Sequence, residues 1–159
     1  MYILLKMTKM KSPFADCDAT YKEERRTLKY RGEIFPYTYH YYQCDETGII
    51  FTTTELDDKS IGEVYDQYRK KYGIPFPEEL KATRKKYGLS AARMSQILGL
   101  GTNQYRLYED GEMPSLAVGK VLKSIEDPYV FRKFLENSVN QLAKKDYDKI
   151  ASKVQAVFA

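Results

Sequence analysis

The sequence predicts an α+β protein, in which a small antiparallel β-sheet with one helix is followed by an all-α region. Two periodicities lead to this fold class. Between Ile34 and Tyr42, neighbouring residues alternate with a period close to two, which is typical of a β-strand with one buried face. After Pro77, apolar residues recur at helical spacing, and residues that favour helix ends separate the apolar segments.

The first half of the chain contains the predicted sheet. Aromatic and β-branched segments separated by turn residues predict three strands, at 21–30, 33–43 and 49–52. Ser60 with Glu63 has the pattern of a capping box, so a helix is predicted to follow Ser60 and to end at Gly73. We therefore expect a β domain with a linker helix over residues 1–73.

Ile74-Pro75-Phe76-Pro77 is the predicted domain boundary, because two prolines one residue apart prevent a continuous helix. Beyond it, a helical domain is expected over 77–137 and a helical extension over 138–159. Helices are predicted to begin at proline or at a capping side chain, namely Pro77, Ser90, Thr102, Ser115 and Asp127-Pro128. The last helix, at 141–157, has no stop signal, which leaves a further domain behind it as an open alternative.

The net charge of +4 belongs to the second half of the chain. Residues 1–73 contain 12 Lys and Arg against 12 Asp and Glu, whereas residues 74–159 contain 14 against 10. Ten of the 15 tyrosines precede residue 74. A neutral, tyrosine-rich half is thus joined to a basic half, and the basic half is weak support for a polyanionic partner.

Composition excludes several classes of protein. Apolar runs are far shorter than the roughly 20 residues that a membrane span needs. Two cysteines and one histidine are too few for a disulfide framework or for most zinc sites, and they indicate a reducing cytoplasm in which no Cys17–Cys44 disulfide is expected. No catalytic Ser-His-Asp or Cys-His arrangement and no phosphate-binding loop is visible, so neither an enzyme nor a cofactor is predicted.

Two predicted short helices, at 91–98 and 102–109, are joined by Leu98-Gly99-Leu100-Gly101, whose glycines allow a sharp turn. The surrounding pattern resembles the Cro/C1-type (Xre-like) helix-turn-helix. The residues that carry the resemblance are Leu80, Arg84, Gly88-Leu89-Ser90, Ile97-Leu98-Gly99-Leu100, Tyr105, Tyr108-Glu109-Asp110-Gly111 and Pro114. It implies a lambda-repressor-like domain with 102–109 as the recognition helix and with Tyr105 and Tyr108 facing inward.

On this resemblance, one set of side chains is expected to contact bases in the major groove: Asn103, Gln104, Arg106 and Leu107. A second set is expected to contact phosphates: Ser90, Arg93, Thr102, Lys85 and Lys86. A solvated helix face is an alternative for the two lysines, and helix packing is an alternative for Leu107. Arg84 and Glu109 are expected to form a structural ion pair.

The first half resembles the zinc-ribbon half of MqsA-type (YgiT-type) antitoxins, through Tyr30-Arg31-Gly32-Glu33, the segment 41–48 and Phe51-Thr52. In that family two CxxC knuckles hold one zinc ion. At the four ligand positions this chain has Ser12, Ala15, Cys44 and Thr47, and only the thiolate of Cys44 is a zinc ligand. We therefore expect a degenerate ribbon without metal, in which tyrosine rings supply the missing burial.

Together the resemblances imply a cytoplasmic transcriptional regulator that is the antitoxin of a type II toxin–antitoxin pair. It would bind a double-stranded DNA operator as a homodimer, repress its own operon, and bind a protein toxin through the N-terminal half. Helices after residue 115 are the expected dimer interface. The alternative is a stand-alone helix-turn-helix regulator with no toxin partner.

Overall fold

The computed structural model describes residues 9–13 and 18–158, and in these residues a four-stranded antiparallel sheet precedes seven α-helices. The α+β fold class is confirmed. The strands follow one another in the sheet in chain order: β1 (Lys9–Lys11), β2 (Asp18–Tyr30), β3 (Glu33–Cys44) and β4 (Ile50–Phe51). The chain divides into two compact units between Tyr68 and Arg69.

The helices are α1 (Thr54–Tyr72), α2 (Pro77–Lys86), α3 (Ala91–Leu98), α4 (Gln104–Glu109), α5 (Leu116–Ser124), α6 (Pro128–Asn137) and α7 (Lys144–Val157). A short 3-10 helix, Val139–Gln141, lies between α6 and α7. None of these helices is both long enough and apolar enough to cross a membrane.

The first unit is built on a long hairpin of β2 and β3. Its two-residue turn, Arg31-Gly32, has positive φ at both positions (48° and 83°), which suits the right-handed twist of the flanking strands. The register runs without interruption from Tyr30 opposite Glu33 to Ala19 opposite Cys44. The predicted strands are therefore present, although β2 begins three residues earlier than expected and β4 is shorter.

Side chains of α1 satisfy the backbone of the outer edge of β3. Ser60 Oγ accepts a hydrogen bond from the His40 amide at 3.0 Å, and Glu63 Oε2 accepts one from the Thr38 amide at 2.8 Å. One helical turn further on, Gln67 Nε2 donates to the carbonyl of Pro36 at 2.6 Å. The helix thereby covers an edge that a strand would otherwise pair.

The predicted capping box is therefore wrong. Ser60 and Glu63 lie in the middle of α1, because the helix begins at Thr54, where the Leu56 amide donates to Thr53 Oγ1 at 3.3 Å. Their spacing places them on the helix face that meets β3. Both side chains therefore accept hydrogen bonds from amides of this strand instead of capping a helix end.

Aromatic rings make up much of the core of the first unit. Buried Ala19, Tyr42 and Leu56 form its centre, and Phe51 stacks on Tyr42 with ring centroids 5.6 Å apart. Near the hairpin turn, Tyr68 of α1 packs its ring against those of Tyr30 and Phe35. This packing agrees with the expectation that tyrosine rings supply burial in the sheet.

The second unit has one hydrophobic core to which every helix from α2 to α7 contributes. Tyr87 and Phe131 stack at its centre with ring centroids 4.0 Å apart, and the Tyr87 hydroxyl donates to the carbonyl of Ile125 at 2.7 Å. Ile150 and Val154 of α7 are buried in the same core. The segment 138–159, which we expected to be an extension, is thus part of the packing of this unit.

The boundary between the units lies upstream of the predicted proline segment. In the second unit, the Arg69 guanidinium donates to the carbonyl of Gly111 at 3.0 Å, and the Ile74 amide donates to the carbonyl of Arg69 at 3.0 Å. Ile74 also packs closely on Gly119, where an added Cβ would lie 2.9 Å from Ile74 Cγ1. The last turn of α1, which begins at Arg69, therefore belongs to the second unit.

Replacing Ser60 by Ala should lower the free energy of unfolding by about 1–3 kcal/mol, because the buried His40 amide loses its acceptor. Urea denaturation followed by circular dichroism measures the change. The matched control is Asp58→Ala on an exposed position of the same helix, which should change the value by less than about 0.5 kcal/mol. Equal effects of the two substitutions would show that the edge bond contributes little.

The pKa of His40 is lowered by burial of its ring and by the nearby Lys59, although Glu23, 3.7 Å from His40 Nδ1, opposes the shift. The folded protein then binds a proton less readily than the unfolded chain, whose histidine titrates near pH 6.5. We therefore expect the free energy of unfolding to decrease as the pH falls from 7 to 5.5. Urea titrations at both values should show a smaller decrease for His40→Phe, and an unchanged pH dependence would contradict this origin.

Candidate nucleic-acid interface

Helix α3 begins and ends as its sequence predicts. Ser90 is the N-cap, with its Oγ accepting a hydrogen bond from the Arg93 amide at 3.1 Å. Gly99 ends the helix in the left-handed region (φ 74°), a conformation that costs least at glycine. The next amide, that of Leu100, donates to the carbonyl of Ser95 at 2.8 Å and closes the turn that leads to α4.

Helix α4 has six residues, and its start is held by α3. The buried Ser95 Oγ accepts a hydrogen bond from the Tyr105 amide at 3.0 Å. The prediction that Thr102 caps this helix is wrong, because α4 begins at Gln104 and its first-turn amide bonds to Ser95 instead. The hydrogen bond from the Tyr105 amide to Ser95, ten residues earlier in the chain, therefore replaces the expected cap by Thr102.

The inward face of α4 consists of the two predicted tyrosines. Tyr105 is fully buried, and its hydroxyl donates to the carbonyl of Leu80 at 2.7 Å. Burial raises the pKa of Tyr105, and it also raises the pKa of Tyr108, so both phenols stay protonated at neutral pH. They join Ile97 in the core of the second unit. Both tyrosines thus face inward, as predicted.

The outward face of α4 carries three of the four side chains expected to contact bases. Asn103 and Arg106 are exposed, and Leu107 is 40% exposed. Gln104 differs, because it is only half-exposed and its Nε2 donates to a carboxylate oxygen of Glu112. Three side chains are accessible as predicted, and the fourth is engaged by an acidic neighbour.

The ion pair between Arg84 and Glu109 is present. Arg84 Nε lies 2.6 Å from Glu109 Oε1, and a second bond joins Arg84 Nη2 to Glu109 Oε2 at 3.2 Å. The same guanidinium donates to the carbonyl of Leu89 at 3.1 Å, and Glu109 is buried. The pair therefore joins α2 to α4 and to the chain before α3, and its bidentate geometry restricts the position of α4.

Three of the predicted phosphate contacts line one surface depression of about 510 Å³, here called the α3–α4 hollow. Ser90 and Arg93 come from the start of α3, Thr102 comes from the turn before α4, and Gln96 and Gln141 complete the rim. A hydroxyl pair beside a guanidinium offers donors to phosphate oxygens. The start of α3 and the start of α4 are thus brought together at one surface.

Arg93 is held in place by several polar partners. Its Nη2 lies 3.2 Å from Asp146 Oδ2 of α7, and its Nη1 donates to Gln96 Oε1 at 2.8 Å. Gln96 in turn donates to the carbonyl of Gln141 at 2.9 Å. This series of bonds connects α3 with the chain around the 3-10 helix and with α7.

The two lysines of α2 are not part of this hollow. Lys86 Nζ donates to the carbonyl of Glu126 at 2.6 Å, beyond the C-terminal end of α5. Lys85 is exposed at the end of α2. Their expected phosphate contacts are therefore separate from those of Ser90, Arg93 and Thr102, and Lys86 has a partner within the chain.

Sequence reasoning did not select three charged residues of α7. Asp146, Lys149 and Lys153 line a second depression of about 150 Å³, here called the α3–α7 hollow, together with Ser90 and Arg93. The available signal was the spacing of Lys149 and Lys153, which are four residues apart and share one helix face. Their proximity to α3 depends on tertiary packing and has no local signature.

Two of the positions that were expected to be degenerate zinc-ligand positions, Ser12 and Thr47, lie within the described residues. Ser12 is buried, and Thr47 is exposed with its Oγ1 accepting from the Ile49 amide at 3.3 Å. Ala15 lies outside the described residues. Within the described ranges, no group of three or more His, Cys, Asp or Glu side chains is arranged to hold a metal ion.

The expectation of a reduced Cys44 is wrong. Cys44 is disulfide-bonded and buried, at the end of β3. The only other cysteine of the chain, Cys17, lies outside the described residues. The expectation rested on a reducing compartment, and composition alone does not identify the redox environment of a particular pair.

Replacing Glu109 by Ala should lower the free energy of unfolding by about 3–5 kcal/mol, because it leaves a partly buried guanidinium without its carboxylate. Thermal and urea denaturation measure this loss. Asp110→Ala removes an exposed carboxylate one residue later and should change stability by less than about 0.5 kcal/mol. A loss at Glu109 no larger than this control would mean that the pair does not hold α4.

Compared with models of known protein families, the chain has no match, and a search of curated proteins finds none either. A function is therefore inferred from the geometry of α3, α4 and the two hollows.

Proposed function

We propose that this protein is a sequence-specific DNA-binding transcriptional regulator in which α3 and α4 form a helix-turn-helix. The observation that supports this most is the division of α4 into two faces. Tyr105 and Tyr108 are buried in the core, whereas Asn103, Arg106 and Leu107 are exposed on the other side. An amide, a guanidinium and an apolar side chain suit adenine, guanine and the thymine methyl group in a major groove.

The surroundings of α4 support the same role. A recognition helix also needs backbone contacts that set its register on the duplex. Ser90, Arg93 and Thr102 line the α3–α4 hollow directly beside the start of α4. Their hydroxyl and guanidinium groups suit the phosphate oxygens of one DNA strand. The basic excess of the second half adds a sequence-independent attraction.

The proposal extends to an antitoxin that represses its own operon and binds a toxin through the first unit. Support comes from the resemblance of the tyrosine-rich half to the zinc-ribbon half of MqsA-type antitoxins, from which this chain differs at the zinc-ligand positions. The alternative is a stand-alone regulator, which would have no toxin gene beside its own. A small toxin-like reading frame beside this gene, whose product co-purifies with the chain, would support the antitoxin.

We propose a homodimer as the DNA-binding form, because one short helix reads only a few base pairs and two copies read a palindrome. Large apolar side chains after residue 115 are exposed at Leu116, Tyr129 and Val139. These exposed positions support the use of the helices after residue 115 in pairing two copies.

Selection of bound duplexes from a random-sequence pool by the full chain should enrich one palindromic site. On that site, Asn103→Ala and Arg106→Ala should each weaken binding by about 1–3 kcal/mol, with a much smaller loss on random duplex DNA. Fluorescence anisotropy measures both affinities, and Asn137→Ala, an exposed asparagine at the end of α6, is the control. No enrichment, or equal losses on selected and random DNA, would refute direct base readout.

A further inference from the structure

The last helix carries cationic side chains to the start of α3. Lys149 and Lys153 of α7 line the α3–α7 hollow together with Ser90 and Arg93. The position of α7 is determined by burial, because Ile150 and Val154 of the same helix lie in the hydrophobic core of the second unit. The two lysines are therefore presented by a packed helix and not by a free tail.

The stem of Lys153 lies directly on the backbone that leads into α3. A Cβ added at Gly88 would be 2.5 Å from both Cδ and Nζ of Lys153, so the end of this side chain lies against the glycine. Gly88 also has a positive φ of 66°, which favours glycine independently. The ammonium group of Lys153 therefore lies beside Gly88, just before the N-cap of α3.

The charge of the hollow is positive. Arg93, Lys149 and Lys153 supply three cations against the single carboxylate of Asp146, which pairs with Arg93 at 3.2 Å. Ser90 and Arg93 also line the α3–α4 hollow, so the two hollows share a rim. Thr102, the start of α3 and the lysines of α7 thus form one continuous polar surface.

We propose that Lys149 and Lys153 make α7 a second DNA-binding element. It contacts DNA phosphates next to those that the start of α3 contacts. This inference rests on the proposed DNA-binding function and adds a new element to it. The helix reads no bases, because both side chains are flexible point charges that suit phosphate oxygens. Its contribution is independent of sequence and depends strongly on salt.

The test is the salt dependence of binding to a random-sequence 24-base-pair duplex, measured with the full chain by fluorescence anisotropy. Each phosphate contact contributes about 0.9 to the slope of log affinity against log salt concentration, so the double variant Lys149→Gln and Lys153→Gln should lower that slope by about 2. The glutamines keep part of each aliphatic stem, and thermal denaturation verifies that the variant is folded.

A matched control separates local contacts from net charge. Lys81→Gln with Lys120→Gln removes the same charge from exposed positions on α2 and α5 that line neither hollow. It should lower the slope by less than about 0.5, because distant charges are largely screened. Equal slopes for the two double variants would overturn the role of α7.

Other outcomes also decide the matter. Wild-type protein that binds no duplex DNA refutes the proposed function and this inference together. If Asn103→Ala removes sequence specificity but the Lys149/Lys153 double variant has the same salt slope as the wild type, this inference alone is refuted. Saturable binding of inorganic phosphate to the α3–α7 hollow, combined with an unchanged slope on DNA, would assign the hollow to a small free anion and overturn the proposal.

Discussion

The second unit depends on how α4 is held, because a helix of six residues is not stable by itself. Its first turn bonds to Ser95 of α3, its inward ring at Tyr105 bonds to the carbonyl of Leu80, and its last residue, Glu109, binds Arg84 of α2. All three contacts lie on the buried side. The outward side of α4 therefore has a defined position without using any of the side chains that are proposed to read bases.

In the first unit, too, side chains of a neighbouring helix supply hydrogen-bond partners to backbone groups that water does not reach. A sheet with so few strands is marginal, and the outer edge of β3 exposes amides to be paired. Ser60, Glu63 and Gln67 supply those partners from one face of α1, while Leu56, Val64 and Tyr68 of the same helix are buried. One helix thereby supplies both hydrogen bonds and apolar area.

Features with a local cause could be predicted from the sequence. Ser90, Ser115 and Asp127 cap their helices as expected, because each bond joins residues two or three apart. The inward tyrosines of α4 follow from helical spacing. Of the features that depend on distant partners, the ion pair of Arg84 and Glu109 was expected only through the resemblance, and others were not predicted. Ser95 replaces Thr102 as the cap of α4, Ser60 and Glu63 bond to a strand, and Cys44 is oxidised.

Two carboxylates bind side chains of the proposed DNA interface. Glu112 holds Gln104, and Asp146 holds Arg93, so two expected contacts are oriented within the free protein. The side chains of Arg93 and Asp146 are 32% and 46% exposed, and such a pair contributes only about 0–1 kcal/mol. A phosphate can therefore replace the carboxylate at small cost. If the protein binds DNA as proposed, both acidic groups would repel any duplex that does not offset them with good contacts, and they would thereby lower non-specific affinity and favour discrimination between sequences.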